Sequence, residues 1–133
     1  MIDSAGVDNE IGRELLLLAD IMISPLQPTQ AALDTVPLHY DVLKQALEGN
    51  PTLRAFYLLT DCSTHAKDHE AVDSKMMLDE FLTEDSIVKV IPTFIYSRKL
   101  LKTSYSNGGT CFDVGKNKSK DEIQQIIDMI FSE

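Results

Sequence analysis

The sequence predicts an α/β protein whose central sheet is mixed, with four to five strands and a β-hairpin at one edge. The first reason is that strand-like runs of Leu, Ile and Val alternate with segments that carry apolar residues at helical spacing. Alternating strands and helices pair in parallel through right-handed crossovers. The second reason is the β-branched and aromatic run 90–96, interrupted by Pro92, which is typical of a strand entered through a turn. The third is a pair of adjacent strand-like segments within 100–114, which predicts an antiparallel hairpin.

Composition and charge restrict the class of protein. The 133 residues are enough for one domain, 1–133, with a buried core, and 44% of them are hydrophobic and 25% charged. No apolar run approaches the ~20 residues of a membrane span, and no basic segment precedes an apolar one at the N-terminus. We therefore expect a soluble, cytoplasmic protein without a membrane partner. The net charge of −9 makes nucleic acid unsuitable as the main partner, because phosphate binding needs a basic surface.

The charge is distributed unevenly along this acidic chain. Residues 1–97 contain 6 Lys and Arg against 16 Asp and Glu, a net charge of −10. Residues 98–120 contain 6 Lys and Arg against Asp113 alone, a net charge of +5. This second segment is either a solvated hairpin and loop or a basic patch that binds an acidic partner.

Two segments open the chain. Residues 1–13 predict an N-terminal extension or a short helix with Val7 and Ile11 on one face. The continuous apolar run 14–23 predicts a buried strand of a parallel sheet. Asp20 interrupts that strand and needs a structural or functional reason.

The middle of the chain predicts a regular alternation of helices and strands. A helix precedes the stop signal Gly49-Asn50-Pro51 and is followed by a second strand at 53–60. An acidic helix at 66–82 then leads to a third strand at 87–96. The first of these helices is indicated by the apolar positions Val36, Tyr40, Leu43 and Leu47.

The last part of the chain predicts a hairpin and a helix. Strands at 100–105 and 110–114 flank the turn 106–109, whose Ser-Asn-Gly-Gly sequence is typical of hairpins. Ser119 and Glu122 have the spacing of a capping box that starts the final helix. Its apolar stripe consists of Ile123, Ile126, Ile127 and Ile130.

The order of elements and the step Ile91-Pro92-Thr93 resemble the thioredoxin fold. Members of that family carry a cis-proline, usually within Ile-Pro-Thr, at the start of the third core strand. The resemblance therefore implies a cis Ile91–Pro92 bond and a thioredoxin-like three-layer α/β/α sandwich. Further agreement comes from Asp20 in the first strand, Asp61 after the second strand and Gly115 before the last helix.

The active-site motif of that family is missing from this chain. Counted six residues on from Asp20, the family's Cys-Gly-Pro-Cys falls on Leu26-Gln27-Pro28-Thr29, which keeps the proline and lacks both cysteines. Dithiol exchange needs an attacking thiolate and a second thiol, so the resemblance implies a member without this activity. Thr29 can still cap the helix that follows.

We therefore expect a redox-inactive domain that binds a protein or peptide as an interaction or scaffold module, without enzymatic activity, cofactor or metal. The resemblance places its binding groove at Asp20, Ile91, Pro92 and Thr93, beside the degenerate active-site positions. The other candidate interface is the basic segment 98–120. No pattern in the sequence predicts an oligomeric state.

Two alternative hypotheses involve cysteine. A thiol redox enzyme or sensor could use Cys62 or Cys111 alone, with glutathione or a peroxide as co-substrate. A zinc site could form from Cys62, His65, His69 and Asp73, although the same residues also fit a solvated helix start. The two cysteines fit a reducing compartment, and the inferred strand order does not favour a disulfide between them.

Overall fold

A sheet of three parallel strands forms the centre of the protein, with helices on both of its faces. The computed structural model describes residues 1–6, 8–84 and 86–132, so the predicted role of Val7 lies outside the described residues. Among those residues, no helix combines the length and the apolarity needed to cross a membrane. The elements in chain order are α1 (Glu10–Leu18), β1 (Ile21–Leu26), α2 (Gln30–Leu33), α3 (Val36–Gly49), β2 (Arg54–Leu59), α4 (Glu70–Phe81), β3 (Val88–Val90), α5 (Lys99–Ser106), a 3-10 turn (Cys111–Asp113) and α6 (Lys118–Phe131).

The α/β class is confirmed, and the predicted mixed, thioredoxin-like sheet with four to five strands and an edge hairpin is wrong. Within the described residues the sheet has only three strands, all parallel, in the order β1-β2-β3. The two segments expected to form the hairpin are instead α5 and the 3-10 turn. The fold therefore removes the structural basis of the resemblance.

The predicted hairpin turn is the end of a helix. The N–H groups of Gly108 and Gly109 donate to the carbonyls of Tyr105 (3.0 Å) and Ser104 (2.9 Å), which is the Schellman pattern that closes α5. Gly108 takes the left-handed conformation, with φ +74°, that this motif requires. Because Asn-Gly pairs serve both helix ends and hairpin turns, the sequence signal was ambiguous at this point.

The first strand begins later than predicted. The apolar run assigned to a strand at 14–23 is divided between α1 and β1. Asn9 starts the helix by accepting a hydrogen bond from the Gly12 N–H at 2.7 Å. Asp20 lies in the bend before β1, where its side chain is exposed, so it does not interrupt a buried strand.

Pro25 lies in β1 without breaking the sheet because its nitrogen faces away from β2. The N–H groups of Arg54 and Thr60 donate to the carbonyls of Asp20 (3.0 Å) and Leu26 (2.9 Å) at the two ends of the β1–β2 ladder. A parallel ladder uses alternate residues of each strand, so the even-numbered residues of β1 bond to β2. The odd-numbered residues, including Pro25, direct their backbone groups to the free edge of the sheet.

Alternation along β2 divides the core between the two faces of the sheet. Tyr57 and Leu59 face α3 and α4 and pack in one cluster with Leu43. Phe56 and Leu58 face α6 in a second cluster. Both strand faces are therefore buried, as expected for a central parallel strand. The second cluster is completed by Ile91, Ile126 and Ile130, so the apolar stripe predicted for the last helix is confirmed in part.

The pairing of β3 resumes beyond an interruption at Pro92. Val88 of β3 is paired with Ala55 of β2, so the residue numbers of the partners differ by 33. In the isolated parallel bridge between Cys62 and Tyr96 they differ by 34. The third strand therefore has a net excess of one residue over β2 between these two pairings. Proline has no N–H to offer to the ladder, which explains why the extra residue is found here.

Candidate functional site

The four positions on which the resemblance places the family's active-site motif, 26–29, are the last residue of β1 and the loop that follows it, at the carboxyl end of the sheet. Gln27 donates from Nε2 to Asp61 Oδ2 at 3.4 Å, which joins this loop to the loop after β2. Asp61 adopts a left-handed backbone with φ +54°, a conformation that Asp tolerates better than most residues. Thr29 caps α2 by accepting from the Ala32 N–H at 3.2 Å, which confirms its predicted structural role.

The four residues of the predicted binding groove do not come together. Asp20 precedes β1 at the amino end of the sheet, whereas Pro92 and Thr93 follow β3 at its carboxyl end. Ile91 is buried in the cluster beneath α6 and cannot contribute to an open groove. The peptide bonds of the described residues are all trans, so the expected cis Ile91–Pro92 bond is wrong. The structure therefore places Asp20 at the opposite end of the sheet from Pro92 and Thr93.

Both cysteine thiols are free and buried. Burial, helped by the charge of Asp61, raises the pKa of the Cys62 thiol to about 11. The backbone of Cys62 is held in the sheet by Ile95 and Ser97, at 3.1 and 2.7 Å. Because the thiolate is the reactive form and needs access to its target, this setting does not favour a single-cysteine mechanism at Cys62.

The proposed zinc ligands are separated by burial. Cys62 is buried, whereas His65, His69 and Asp73 have exposed side chains. Over the described part of the chain, no group of three or more His, Cys, Asp or Glu side chains has a geometry that could hold a metal ion. His65 and His69 fit the description of a solvated helix start.

A partly buried ion pair connects the end of the third strand to α6. Arg98 donates from its guanidinium to Glu122, and the Tyr96 N–H lies 3.4 Å from the same carboxylate. The predicted capping role of Glu122 with Ser119 is wrong, since Asn117 caps α6 by accepting from the Lys120 N–H at 2.8 Å. Glu122 therefore anchors the segment that leads into α5.

A cluster of lysines and aromatic side chains lies on α5, the 3-10 turn and the start of α6. The 3-10 turn contacts both helices, so these three elements adjoin one another although they are separated in sequence. On α5, Lys99, Lys102 and Tyr105 are three residues apart and therefore line one side, where Tyr105 is 84% exposed. We call this surface the basic face and define it by six exposed residues: Lys99, Lys102, Tyr105, Phe112, Lys116 and Lys118.

The lysines of the basic face have no carboxylate of their own. In residues 1–6, 8–84 and 86–132, none of them forms an ion pair, whereas Arg98, just before α5, is paired with Glu122. Lys120 lies at the border of the face, with its Nζ 5.8 Å from the centre of the Phe112 ring. The charge count along the sequence located this surface, and only the structure shows that aromatic side chains are exposed beside the lysines.

Neither a comparison with models of known protein families nor a search of the curated proteins finds a match to this chain. The function must therefore be inferred from the surfaces and side chains of the chain itself.

Proposed function

We propose that this protein is an interaction module that binds an acidic protein or peptide through its basic face, without thiol chemistry. The observation that carries the proposal is that exposed lysines without an ion pair to any described carboxylate lie with exposed aromatic rings on three adjoining elements. Lysines supply attraction and orientation, and the rings supply apolar area that water leaves when a partner binds.

Stability of the fold does not explain where these lysines lie. Lys99 and Lys102 occupy the first turn of α5, and Lys118 begins α6. The N-terminus of a helix carries partial positive charge, so a cation there costs about 0.3–1 kcal/mol. A partner that brings carboxylates to both helix ends would offset this cost, which supports binding as the role of the face.

The remaining charge favours a compact acidic partner over a long polyanion. Residues 98–120 carry +5 and the whole chain −9, which leaves −14 for the remainder. A nucleic acid extending past the basic face would meet this negative surface and be repelled. A short acidic segment with apolar residues, such as an amphipathic helix, would contact the face alone.

The test is a titration of the ¹⁵N-labelled protein with an acidic amphipathic peptide built from Glu and Leu. We expect chemical-shift changes in α5, the 3-10 turn and the start of α6, and weaker binding as salt rises. Lys99→Glu, Lys102→Glu and Lys118→Glu together should weaken binding by about tenfold or more, since each exposed pair contributes roughly 0.2–1 kcal/mol and reversal adds repulsion.

The matched control reverses three lysines outside the face: Lys44, Lys67 and Lys89. It changes the net charge by the same amount and should leave peptide affinity within about twofold, because screened distant charges contribute little. Equal losses in both triple variants would show that net charge, not the basic face, attracts the peptide. Absence of shifts on the face would reject the proposal directly.

The cytoplasmic location expected from the composition remains part of this proposal. Two buried free thiols are consistent with a reducing compartment. Imaging of the tagged protein in cells would test the location, and a secreted or organelle-confined signal would contradict it.

A further inference from the structure

Helix α4 exposes four of its five large apolar residues, and only Leu78 is buried. Its buried side is made mainly of small residues, with Ala71, Ser74 and Leu78 against the sheet. On the opposite side, Val72 and Met76 lie one turn apart and are 51% and 56% exposed. A surface helix usually buries its large apolar stripe, so this outward arrangement indicates a contact surface.

A second row of exposed apolar residues runs along α4 beside Val72 and Met76, and two glutamates lie at the C-terminal end of these rows. Met77 and Phe81 lie one turn apart, and both are exposed. Glu80 continues the row of Val72 and Met76, and Glu84 lies just beyond the helix end. Neither glutamate forms an ion pair with the described cations. We call this surface the α4 face: Val72, Met76, Met77, Glu80, Phe81 and Glu84.

The α4 face and the basic face have complementary chemistry. One combines two methionines and Phe81, whose ring packs edge-on against Tyr40, with carboxylates that form no ion pair among the described residues. The other combines Tyr105 and Phe112 with lysines that form none among the same residues. Methionine adapts readily to aromatic surfaces, and opposite charges around an apolar centre fix the orientation of a contact. Resting on the proposed function of the basic face, we propose that its acidic partner is the α4 face of a second copy of this chain.

The two faces lie on different parts of the molecule, which determines the type of assembly. Helix α4 packs on the side of the sheet that holds Tyr57, whereas α6, which carries part of the basic face, packs on the side that holds Phe56. A contact between unlike surfaces is head-to-tail and leaves one free face of each kind on every pair. The assembly therefore grows with concentration as a chain or ring.

The test uses two variants that each remove one face. Lys99→Glu with Lys102→Glu reverses the basic face, and Glu80→Lys with Glu84→Lys reverses the α4 face. Each new charge is at the helix end that favours it, acids at the start of α5 and bases near the end of α4, so both variants are expected to stay folded. The same four positions are also changed to Gln, which removes the charge without reversing it. Circular dichroism of all variants verifies that a loss of association is not caused by unfolding.

Sedimentation velocity and light scattering from about 10 μM to about 1 mM measure association. The wild-type chain is expected to grow beyond a dimer, and each double variant alone to associate at least about tenfold more weakly. Mixed in equal amounts, the Gln variants should form a dimer and nothing larger, because the mixture holds one intact basic face and one intact α4 face per pair and the two neutralised faces do not attract each other.

A wild-type chain that stays monomeric, a variant that associates like the wild type, or a mixture that forms no dimer would each overturn the inference. The peptide titration separates this failure from that of the proposed function. If the acidic peptide binds the basic face while the chain remains monomeric, the face recognises an acidic partner that is not a second copy.

Discussion

Replacing Arg98 by methionine should destabilise the protein more than removing any of its surface lysines. The side chains of Arg98 and Glu122 are 24% and 13% exposed, so the pair is largely withdrawn from water. Arg98→Met leaves the Glu122 carboxylate with the Tyr96 N–H, 3.4 Å away, as its remaining donor among the described residues. A largely buried carboxylate without its cation is the source of the expected loss.

The magnitude follows from the burial of the pair. Removing one member of a fully buried ion pair costs roughly 3–5 kcal/mol, and partial exposure with one remaining hydrogen bond reduces this to about 2 kcal/mol. For a chain of this length, that change lowers the midpoint of thermal unfolding by about 6–10 °C. Urea unfolding followed by circular dichroism gives the free energy, and calorimetry gives the midpoint.

A matched control and a double variant complete the test. Lys75→Met breaks an exposed pair with Asp79 and should change the free energy of unfolding by less than about 0.5 kcal/mol. The double variant Arg98→Met, Glu122→Met should recover part of the lost free energy of unfolding, because no unpaired carboxylate remains. Removing Arg98 also removes a buried Nε that has no hydrogen-bond partner among the described residues. Equal effects of Arg98→Met and Lys75→Met would refute the reasoning.

Three further predictions concern buried groups. Leu43→Ala should lower the free energy of unfolding by about 3 kcal/mol, since Leu43 is fully buried. Leu38→Ala, on the exposed side of α3, should change it by less than about 0.5 kcal/mol. Similar losses in the two variants would contradict the assigned faces of α3. Burial lowers the pKa of His39 in the folded state. The neutral imidazole therefore contributes stability that is present above about pH 6.5 and declines as the pH falls below that value. His39→Asn should flatten this decline in the free energy of unfolding, measured with urea between pH 7 and 4. Because the Cys62 thiol is buried and its pKa is raised, iodoacetamide at neutral pH should leave it unmodified in the native protein and label it in urea. Mass spectrometry measures the labelling. Labelling of Cys62 in the native protein would show that its thiol is accessible to solvent.

The sequence predicted elements well where a local pattern had only one interpretation. The isoleucine stripe of α6 has helical period, and the structure buries Ile126 and Ile130 against the sheet. The leucine run before Asp20 had two interpretations, because a short apolar run fits a buried strand and a helix equally. The helical interpretation is marked in the sequence only by Asn9, the single residue that caps α1. The predicted mixed sheet was wrong for the related reason that Ile91-Pro92-Thr93 describes a local interruption of the ladder, not a topology.

The candidate surfaces were predictable to different degrees. Counting charges was enough to locate the basic segment, because lysines on neighbouring turns and loops remain near one another after folding. The apolar spacing in α4 predicted a helix, and it did not show that Val72 and Met76 face outward. That orientation depends on which residues meet the sheet, a contact between positions far apart in sequence. The pairing of Arg98 with Glu122 was missed for the same reason.

The outward nitrogen of Pro25 limits how this protein can misassemble. With proline at that position, the free edge of β1 presents N–H donors only at Ile21 and Ile23, too few to template a long added strand. The β1 edge is therefore a poor template for sheet growth from molecule to molecule, the route to cross-β fibrils.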